Sequence, residues 1–210
     1  PMIAKLIVWG ADRKQALARM AQALSEYQVV GLATNIAFLK RLVEGQAFAT
    51  ADLDTGLIER HQETLFPVAQ AAPRAALALA VVSLIESEKQ AAQSPANSAN
   101  SANSADPWGQ AQGWRMNQPY VRALSFSDEF AIDQPYIAHV SYRADGWLFS
   151  MGAGEQPEAL SLTSQQDDGA YSIKLGAQAV HGAVRRDGDV LHVFTGGAHY
   201  QLTYNDPMAH

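Results

Sequence analysis

The spacing of apolar residues divides the chain into three parts. Residues 11 to 66 carry apolar side chains at helical spacing, and a segment from about residue 73 is apolar on nearly every side. From Trp108 onward the apolar residues recur at every second position. Helices have a period of 3.6 residues and strands a period of two, so the sequence predicts an α+β protein.

The first part contains start signals for three helices. Asp12 is a plausible N-cap, and Gln15 three residues later completes a capping box. Thr34 or Asn35 is expected to cap a second helix, and Asp54-Thr55 marks the start of a third. We therefore expect this part to be rich in helix.

Two apolar segments within the first 66 residues predict strands. Pro1–Gly10 forms an apolar run that leads directly into the first helix, and Val29-Val30 is a shorter run that ends at Gly31. A strand needs a neighbour with which to form hydrogen bonds, and no such neighbour is evident for Pro1–Gly10. We therefore expect the chain to be a piece of a longer protein.

The most apolar segment predicts a buried helix. Pro73 suits the first turn of a helix over about residues 73–92, and the segment Ala75–Ile85 has no polar face. A helix that is apolar all round is normally enclosed by its domain, although small alanines can also tolerate exposure. The segment 94–106, with Ala-Asn-Ser repeated three times, predicts a flexible linker.

The last part predicts an antiparallel sandwich or barrel over about residues 108–206. Hairpin signals separate the segments, among them Asp145-Gly146, Asp187-Gly188 and Gly196-Gly197. A barrel would also enclose the apolar helix, so residues 67–210 are expected to form one domain after a first region of 1–66. Seven strands are predicted: Tyr136–Arg143, Trp147–Met151, Leu160–Thr163, Tyr171–Leu175, Ala179–Val184, Val190–Thr195 and His199–Tyr204.

Composition excludes several classes of function. The net charge of -6 argues against nucleic acid as a partner, and the chain has no cysteine for disulfides or thiolate chemistry. The longest apolar run is too short to span a bilayer, and no basic amphipathic helix suggests a membrane surface. We expect a protein of the bacterial cytoplasm or, in a eukaryote, the mitochondrial matrix.

Candidate chemistry is sparse. A two-residue Gly196-Gly197 loop would place His192 and His199 diagonally on one face of a hairpin, about 7–8 Å apart. No third metal ligand is evident, and the chain has neither a nucleophile elbow nor a glycine-rich phosphate loop. The open readings are a subunit-joining module, an enzyme that uses this histidine pair, and a barrel that binds a small molecule.

The first 66 residues contain an ordered series of residues: Met2–Gly10, Asp12-Arg13, Ala16-Leu17, Arg19-Met20, Ala23-Leu24, Gly31, Thr34–Ile36, Phe38-Leu39, Asp54–Gly56 and Ile58-Glu59. In order and spacing this series resembles the end of a biotin carboxylase domain, the C-terminal piece of an ATP-grasp enzyme. From about residue 67, the helix, the loop with Gly113–Asn117 and the strands are similar to the connecting (BT) domain of acyl-CoA carboxylase α subunits. The 3-methylcrotonyl-CoA type is the most similar, with the propionyl- and geranyl-CoA types as rivals.

The resemblance implies a fold and a role. In that family the connecting domain is a long helix wrapped by an antiparallel β-barrel, and it docks the biotin carboxylase subunit onto the carboxyltransferase (β) subunit. The intact parent is a ligase that uses ATP, magnesium and bicarbonate to carboxylate biotin on a carrier domain of the same chain. This piece is expected to hold no cofactor, to have no catalytic or metal-binding residue and to be inactive alone.

The resemblance also nominates site residues. Residues after Thr55 correspond to the adenine pocket, so Leu57 and Ile58 are expected to form an apolar wall of the ATP site in the intact parent; the alternative is that both are helix core. Because tryptophan and arginine are common interface anchors, Trp108, Trp114 and Arg115 are expected to meet the carboxyltransferase subunit. Packing of these tryptophans inside the domain is the competing interpretation.

Overall fold

The computed structural model describes residues 4–68, 70–93, 120–129, 134–143, 145–152 and 154–206. The chain forms two compact units. One comprises the residues up to Gln70 together with Gly196–Ala198, and the other comprises Ala71–Thr195 and the residues from His199 onward. Each unit is treated separately below.

The first unit is helical. Asp12 caps the first helix by accepting a hydrogen bond of 2.7 Å from the backbone N–H of Gln15, and the Gln15 side chain accepts one from the N–H of Ala11. The predicted cap is therefore confirmed. Asn35 occupies the N-cap position of the second helix but makes no side-chain capping bond. The helices are α1 Arg13–Glu26, α2 Ile36–Glu44, α3 Gln46–Thr50, α4 Leu57–Arg60 and α5 Gln62–Leu65.

Three local predictions for this unit are wrong. Residues 4–10 and Val29-Val30 form no strand in the part of the chain that the structure describes. Apolar periodicity gives a segment the potential to pair, but a strand exists only when a second backbone completes the ladder. The helix predicted after Asp54-Thr55 is two single turns, α4 and α5, which meet at His61.

The second unit begins with a long helix, α6, at Arg74–Gln93. Every residue from Ala76 to Val82 is buried. At about 100° per residue, seven consecutive buried positions cover all sides of a helix, so α6 is enclosed as predicted. No helix in the described ranges combines the length and hydropathy needed to cross a membrane.

Eight antiparallel strands close into a barrel in the order β1 to β8. An up-and-down antiparallel barrel needs an even number of strands, because the first and last strands must also run in opposite directions. The seven predicted strands are all present, and β1 is the one that the sequence analysis missed. The strands are β1 Val121–Ser127, β2 Tyr136–Arg143, β3 Gly146–Met151, β4 Glu158–Gln165, β5 Ala170–Leu175, β6 Gln178–Asp187, β7 Val190–Thr195 and β8 Ala198–Asn205.

The hairpin between β7 and β8 has the predicted two-residue loop. Gly196 and Gly197 have φ angles of +60° and +72°, which is the positive-φ pair of a type I′ turn. Such a turn matches the right-handed twist of the strands, and glycine adopts both angles without a Cβ clash. The loop fixes which residues of β7 and β8 lie beside each other.

Alternate residues of the strands point inward and form one apolar core with α6. Leu124 and Phe126 of β1, Val140 of β2 and Phe149 of β3 are fully buried in this core. On β6 the inward position between Val180 and Val184 is Gly182. A Cβ atom at Gly182 would lie 2.6 Å from both the Leu79 Cδ1 atom and the Phe194 carbonyl oxygen. The missing side chain is therefore what allows α6 to approach β6.

We expect Gly182→Ala to lower the free energy of unfolding by about 1–3 kcal/mol, because one of the two crowded atoms belongs to backbone and cannot turn away. Thermal and urea unfolding of the chain would measure the change. Ala179→Val is the matched control: Ala179 is exposed on the same strand, so added carbon atoms there should change stability by no more than about 0.5 kcal/mol. Equal melting temperatures for Gly182→Ala and the wild type would contradict the close approach.

Candidate functional site

The turn that precedes α4 is built around Asp54. Its carboxylate accepts a hydrogen bond of 3.0 Å from the Gly56 N–H. It also accepts hydrogen bonds of 2.8 Å from both terminal nitrogens of Arg60. The hydrogen bond from Arg60 lowers the pKa of Asp54, and the charge of Arg60 and the Gly56 N–H act in the same direction. A Cβ at Gly56 would lie 2.9 Å from Arg60 Nη1, so a larger residue here would require the Arg60 side chain to shift.

This turn sets the orientation of the two predicted ATP-wall residues. Leu57 is 6% exposed and belongs to the core of its unit, whereas Ile58 is 46% exposed. Consecutive helical residues differ by about 100° in direction, so the two side chains point to different sides of α4. Ile58 has an apolar and accessible side chain, as a residue lining the ATP site would need. Leu57 is buried, which fits the competing prediction that it is a core residue of its helix. Both assignments remain predictions.

In the second unit, Arg74 fixes the N-terminal end of α6 to the barrel. Its guanidinium is paired with Glu155, lies 3.7 Å from a Glu158 carboxylate oxygen and sits 5.3 Å from the centre of the Phe149 ring. The Glu155 carboxylate also accepts the Met151 N–H at 2.6 Å. The Met151 N–H lowers the pKa of Glu155 most, and Arg74 adds to this effect.

Arg122 fixes the other end of the same helix. It points inward from β1 and binds the Glu88 carboxylate with two nitrogens, one of them at 2.7 Å, and the Tyr204 hydroxyl at 3.3 Å. Hydrogen bonding to Glu88 raises the pKa of this guanidinium further above its usual range. Burial raises the pKa of the neighbouring Tyr142, and the Arg122 hydrogen bond partly offsets that effect. Neither Arg74 nor Arg122 was predicted as a site residue, because the apolar residues next to each of them in sequence do not indicate a distant carboxylate partner.

The histidine pair lies where the sequence predicted. His192 Nδ1 and His199 Nε2 are 3.0 Å apart, a hydrogen bond in which one nitrogen donates and the other accepts. The Phe194 ring stacks on His199 with centroids 4.4 Å apart. His192 is 6% exposed. Protein zinc sites use three or four side-chain ligands, and no group of three metal-ligating residues occurs in the part of the chain described by the structure.

Trp108, Trp114 and Arg115, the predicted interface anchors, lie outside the described residues. Their role therefore stays a prediction. What the described residues present is a barrel whose interior is filled by a helix fixed at both ends, together with a small helical unit that carries the Asp54 turn.

Comparison with known families agrees with this division. The family model described as "Biotin carboxylase C-terminal domain" matches residues 1–60. The model described as "Methylcrotonyl-CoA carboxylase, alpha-subunit, BT domain" matches residues 72–207, which is more than half of the chain. The chain belongs to the methylcrotonyl-CoA carboxylase α-subunit BT domain family. The enclosed helix and the eight-stranded barrel are thus the structure of a BT domain.

Individual relatives of this BT-domain family member cover different parts of the chain. The mitochondrial methylcrotonoyl-CoA carboxylase subunit α of Dictyostelium discoideum is 31% identical over 96% of the chain, and that of Rattus norvegicus is 32% identical over 70%. The α chain of human propionyl-CoA carboxylase is 46% identical, but over 26% of the chain. These alignments span 29%, 20% and 8% of the three relatives, so the chain corresponds to a minor part of each.

We predict that the histidine pair makes stability depend on pH. Partial burial lowers the pKa of His199 most, and the charge of His192 lowers it further. The folded pKa is therefore below the unfolded value of about 6.5, so the unfolded chain binds more protons in this range. The stability contributed by a neutral His199 is complete above pH 6.5 and is lost as the pH falls through the folded pKa.

Melting temperatures between pH 8 and pH 5 would measure this effect. His199→Gln should flatten the decline on the acid side, because glutamine cannot titrate. Gln201→Ala is the control, since Gln201 is an exposed and uncharged residue of the same strand. An equally steep decline in His199→Gln and the wild type would show that other groups cause it.

Proposed function

We propose that this chain is the part of a biotin-dependent acyl-CoA carboxylase α subunit that docks the biotin carboxylase region onto the carboxyltransferase (β) subunit. The observation that carries the proposal is the α6 helix inside the closed barrel. The helix fills the interior of the barrel, so the barrel can contact other proteins only through its outer surface. A body of this kind can hold two larger parts at a fixed spacing without taking part in their chemistry.

The charged pairs at the ends of α6 support a rigid role. Arg74 and Arg122 each bind a carboxylate at opposite ends of the helix, and both arginines are largely shielded from solvent. Charge-assisted hydrogen bonds of this type are stronger than neutral ones and have defined geometry. They resist sliding of the helix along the barrel axis, which apolar packing alone restrains only weakly. A connecting domain needs this kind of stiffness.

The reaction itself belongs, on this proposal, to the longer parent. There, ATP, magnesium and bicarbonate would serve the carboxylation of biotin, and the acyl-CoA would be selected on the carboxyltransferase subunit. The methylcrotonyl-CoA type is favoured because the BT-domain model named for it matches residues 72–207. We place the parent in the bacterial cytoplasm or the mitochondrial matrix, and we expect the chain alone to show no ATP turnover with bicarbonate and free biotin.

We predict that the double variant Trp114→Ala, Arg115→Ala weakens binding to the cognate carboxyltransferase subunit at least tenfold, because buried tryptophan and arginine anchors commonly supply about 2 kcal/mol or more each. Biolayer interferometry with the immobilised carboxyltransferase subunit would measure the dissociation constant, and Trp108→Ala would be tested in the same way. Arg186→Ala, at the exposed end of the β6–β7 hairpin, is the matched control. Unchanged affinity in the double variant would remove these residues as anchors.

We also predict that Ile58→Ala in the full-length α subunit raises KM for ATP about fivefold and leaves kcat little changed, because it removes apolar contact that is equal in the ground and transition states. Steady-state biotin carboxylation would give both constants, and Ile58→Val should restore most of the affinity. Leu57→Ala should instead lower the melting temperature, since Leu57 is buried. If Ile58→Ala leaves KM unchanged, Ile58 does not line the ATP site.

A further inference from the structure

A single ion pair brackets the short helix α4. Asp54 lies three residues before Leu57, the first residue of α4, and Arg60 is its last residue. Both terminal nitrogens of Arg60 bind the Asp54 carboxylate, and the same carboxylate accepts the Gly56 N–H. The Asp54 carbonyl oxygen also accepts the Leu57 N–H at 3.3 Å. The residues on either side of Ile58 are therefore tied to one another through Asp54.

A helix as short as α4 benefits from such a bracket. Four residues form a single turn, and isolated helices shorter than about 12–15 residues are marginal in water. Asp54 and Arg60 are both roughly half exposed, so their pairing adds little to the overall free energy of unfolding. An arginine fork on a carboxylate nevertheless makes two parallel hydrogen bonds of defined geometry. The contribution of this pair is therefore to the local shape of the turn.

The surroundings of Arg60 make its influence on a ligand indirect. The hydrogen bond to Asp54 raises the pKa of Arg60 most, and the negative charges of Asp54 and Asp52 act in the same direction. The guanidinium thus has acidic side chains beside it, and both of its terminal nitrogens are engaged within the turn. Arg60 can then affect a bound ligand through the shape of α4.

Ile58 is the residue whose placement depends most on this bracket. The Leu57 side chain is held by core packing, whereas Ile58 is 46% exposed. An exposed side chain takes its position mainly from its own backbone, and Ile58 lies within the four-residue turn that the Asp54–Arg60 pair closes. A binding group that is already in position loses less conformational entropy when the ligand arrives. A fixed turn would therefore strengthen any apolar contact that Ile58 makes with a ligand.

We propose that Arg60 is a positioning residue of the ATP site in the intact α subunit. Through Asp54 it fixes the α4 turn, and the turn holds the Ile58 side chain where it can contact the adenine ring. This inference rests on the proposed function, which assigns Ile58 to the wall of the ATP site, and adds a residue that does not itself touch the nucleotide. The effect of Arg60 on ATP binding therefore passes through Ile58.

The test measures steady-state biotin carboxylation by the full-length α subunit. Arg60→Gln should raise KM for ATP about threefold, with little change in kcat or in KM for biotin, because it weakens one apolar contact with ATP. Arg60→Lys keeps the charge but loses the two-pronged geometry, so its KM should lie between those of the wild type and Arg60→Gln. The lysine variant also guards against misfolding of the glutamine variant.

Arg13→Gln is the matched control. Arg13 likewise directs two nitrogens at one distant acceptor, the Phe48 carbonyl oxygen, at 2.9 and 2.7 Å, but it belongs to α1. Its loss should change the melting temperature about as much as Arg60→Gln does and should leave KM for ATP unchanged. An equal rise in KM for both variants would show that any loosening of the helical unit weakens ATP binding, and the inference would be overturned.

The double variant Ile58→Ala, Arg60→Gln tests whether the two residues act together. If Arg60 acts through Ile58, KM for ATP in the double variant equals that of Ile58→Ala alone. Independent effects would multiply to about fifteenfold and would overturn the inference. A raised KM in Ile58→Ala with an unchanged KM in Arg60→Gln would also overturn it, while the wall assignment stands. An unchanged KM in Ile58→Ala would refute the wall assignment in the proposed function, and the inference with it.

Discussion

The packing of α6 inside the barrel is the interaction on which the second unit depends. Eight strands around an empty centre would leave a lumen lined by apolar side chains, and water there would be unfavourable. The helix replaces that water with alanine, leucine and valine, whose small sizes match the space that the strands leave. Close packing of this kind tolerates few added atoms, as shown by Gly182, where even a Cβ atom would lie 2.6 Å from Leu79 Cδ1. The apolar core and the closed hydrogen-bond ladder therefore stabilise each other.

Much of this architecture is predictable from local sequence. The Asp12 cap, the enclosed helix and the Gly196-Gly197 loop each follow from a few neighbouring residues with strong conformational preferences, and the structure confirms them. β1 escaped prediction because its inward side begins with Arg122, while its outward side carries Val121 and Ala123. Apolar and polar residues then no longer alternate, and the period-two signal disappears. The strand exists because its neighbours β2 and β8 pair with it.

The site residues show where local sequence reasoning ends. The burial of Leu57 and the exposure of Ile58 depend on the Asp54–Arg60 turn, a contact that no periodicity reveals. Arg122 and Glu88 are 34 residues apart, and Arg74 and Glu155 are 81 apart, so neither pair can be found from a window of sequence. The histidine pair was found because one tight turn determines which residues face each other. The geometry of this tight turn was predictable from its two glycines, whereas the charge pairs between distant residues were not.

The closure of the barrel has a consequence for how the chain folds. The ladder between β1 and β8 brings together residues such as Ser125 and Asn205, which are 80 positions apart, so it is formed at a high loop-closure cost. The other ladders join consecutive strands through shorter connections and can assemble earlier. A helix cannot enter a cylinder of strands once the last ladder has formed. We therefore expect the strands to assemble around α6 before the ladder between β1 and β8 forms.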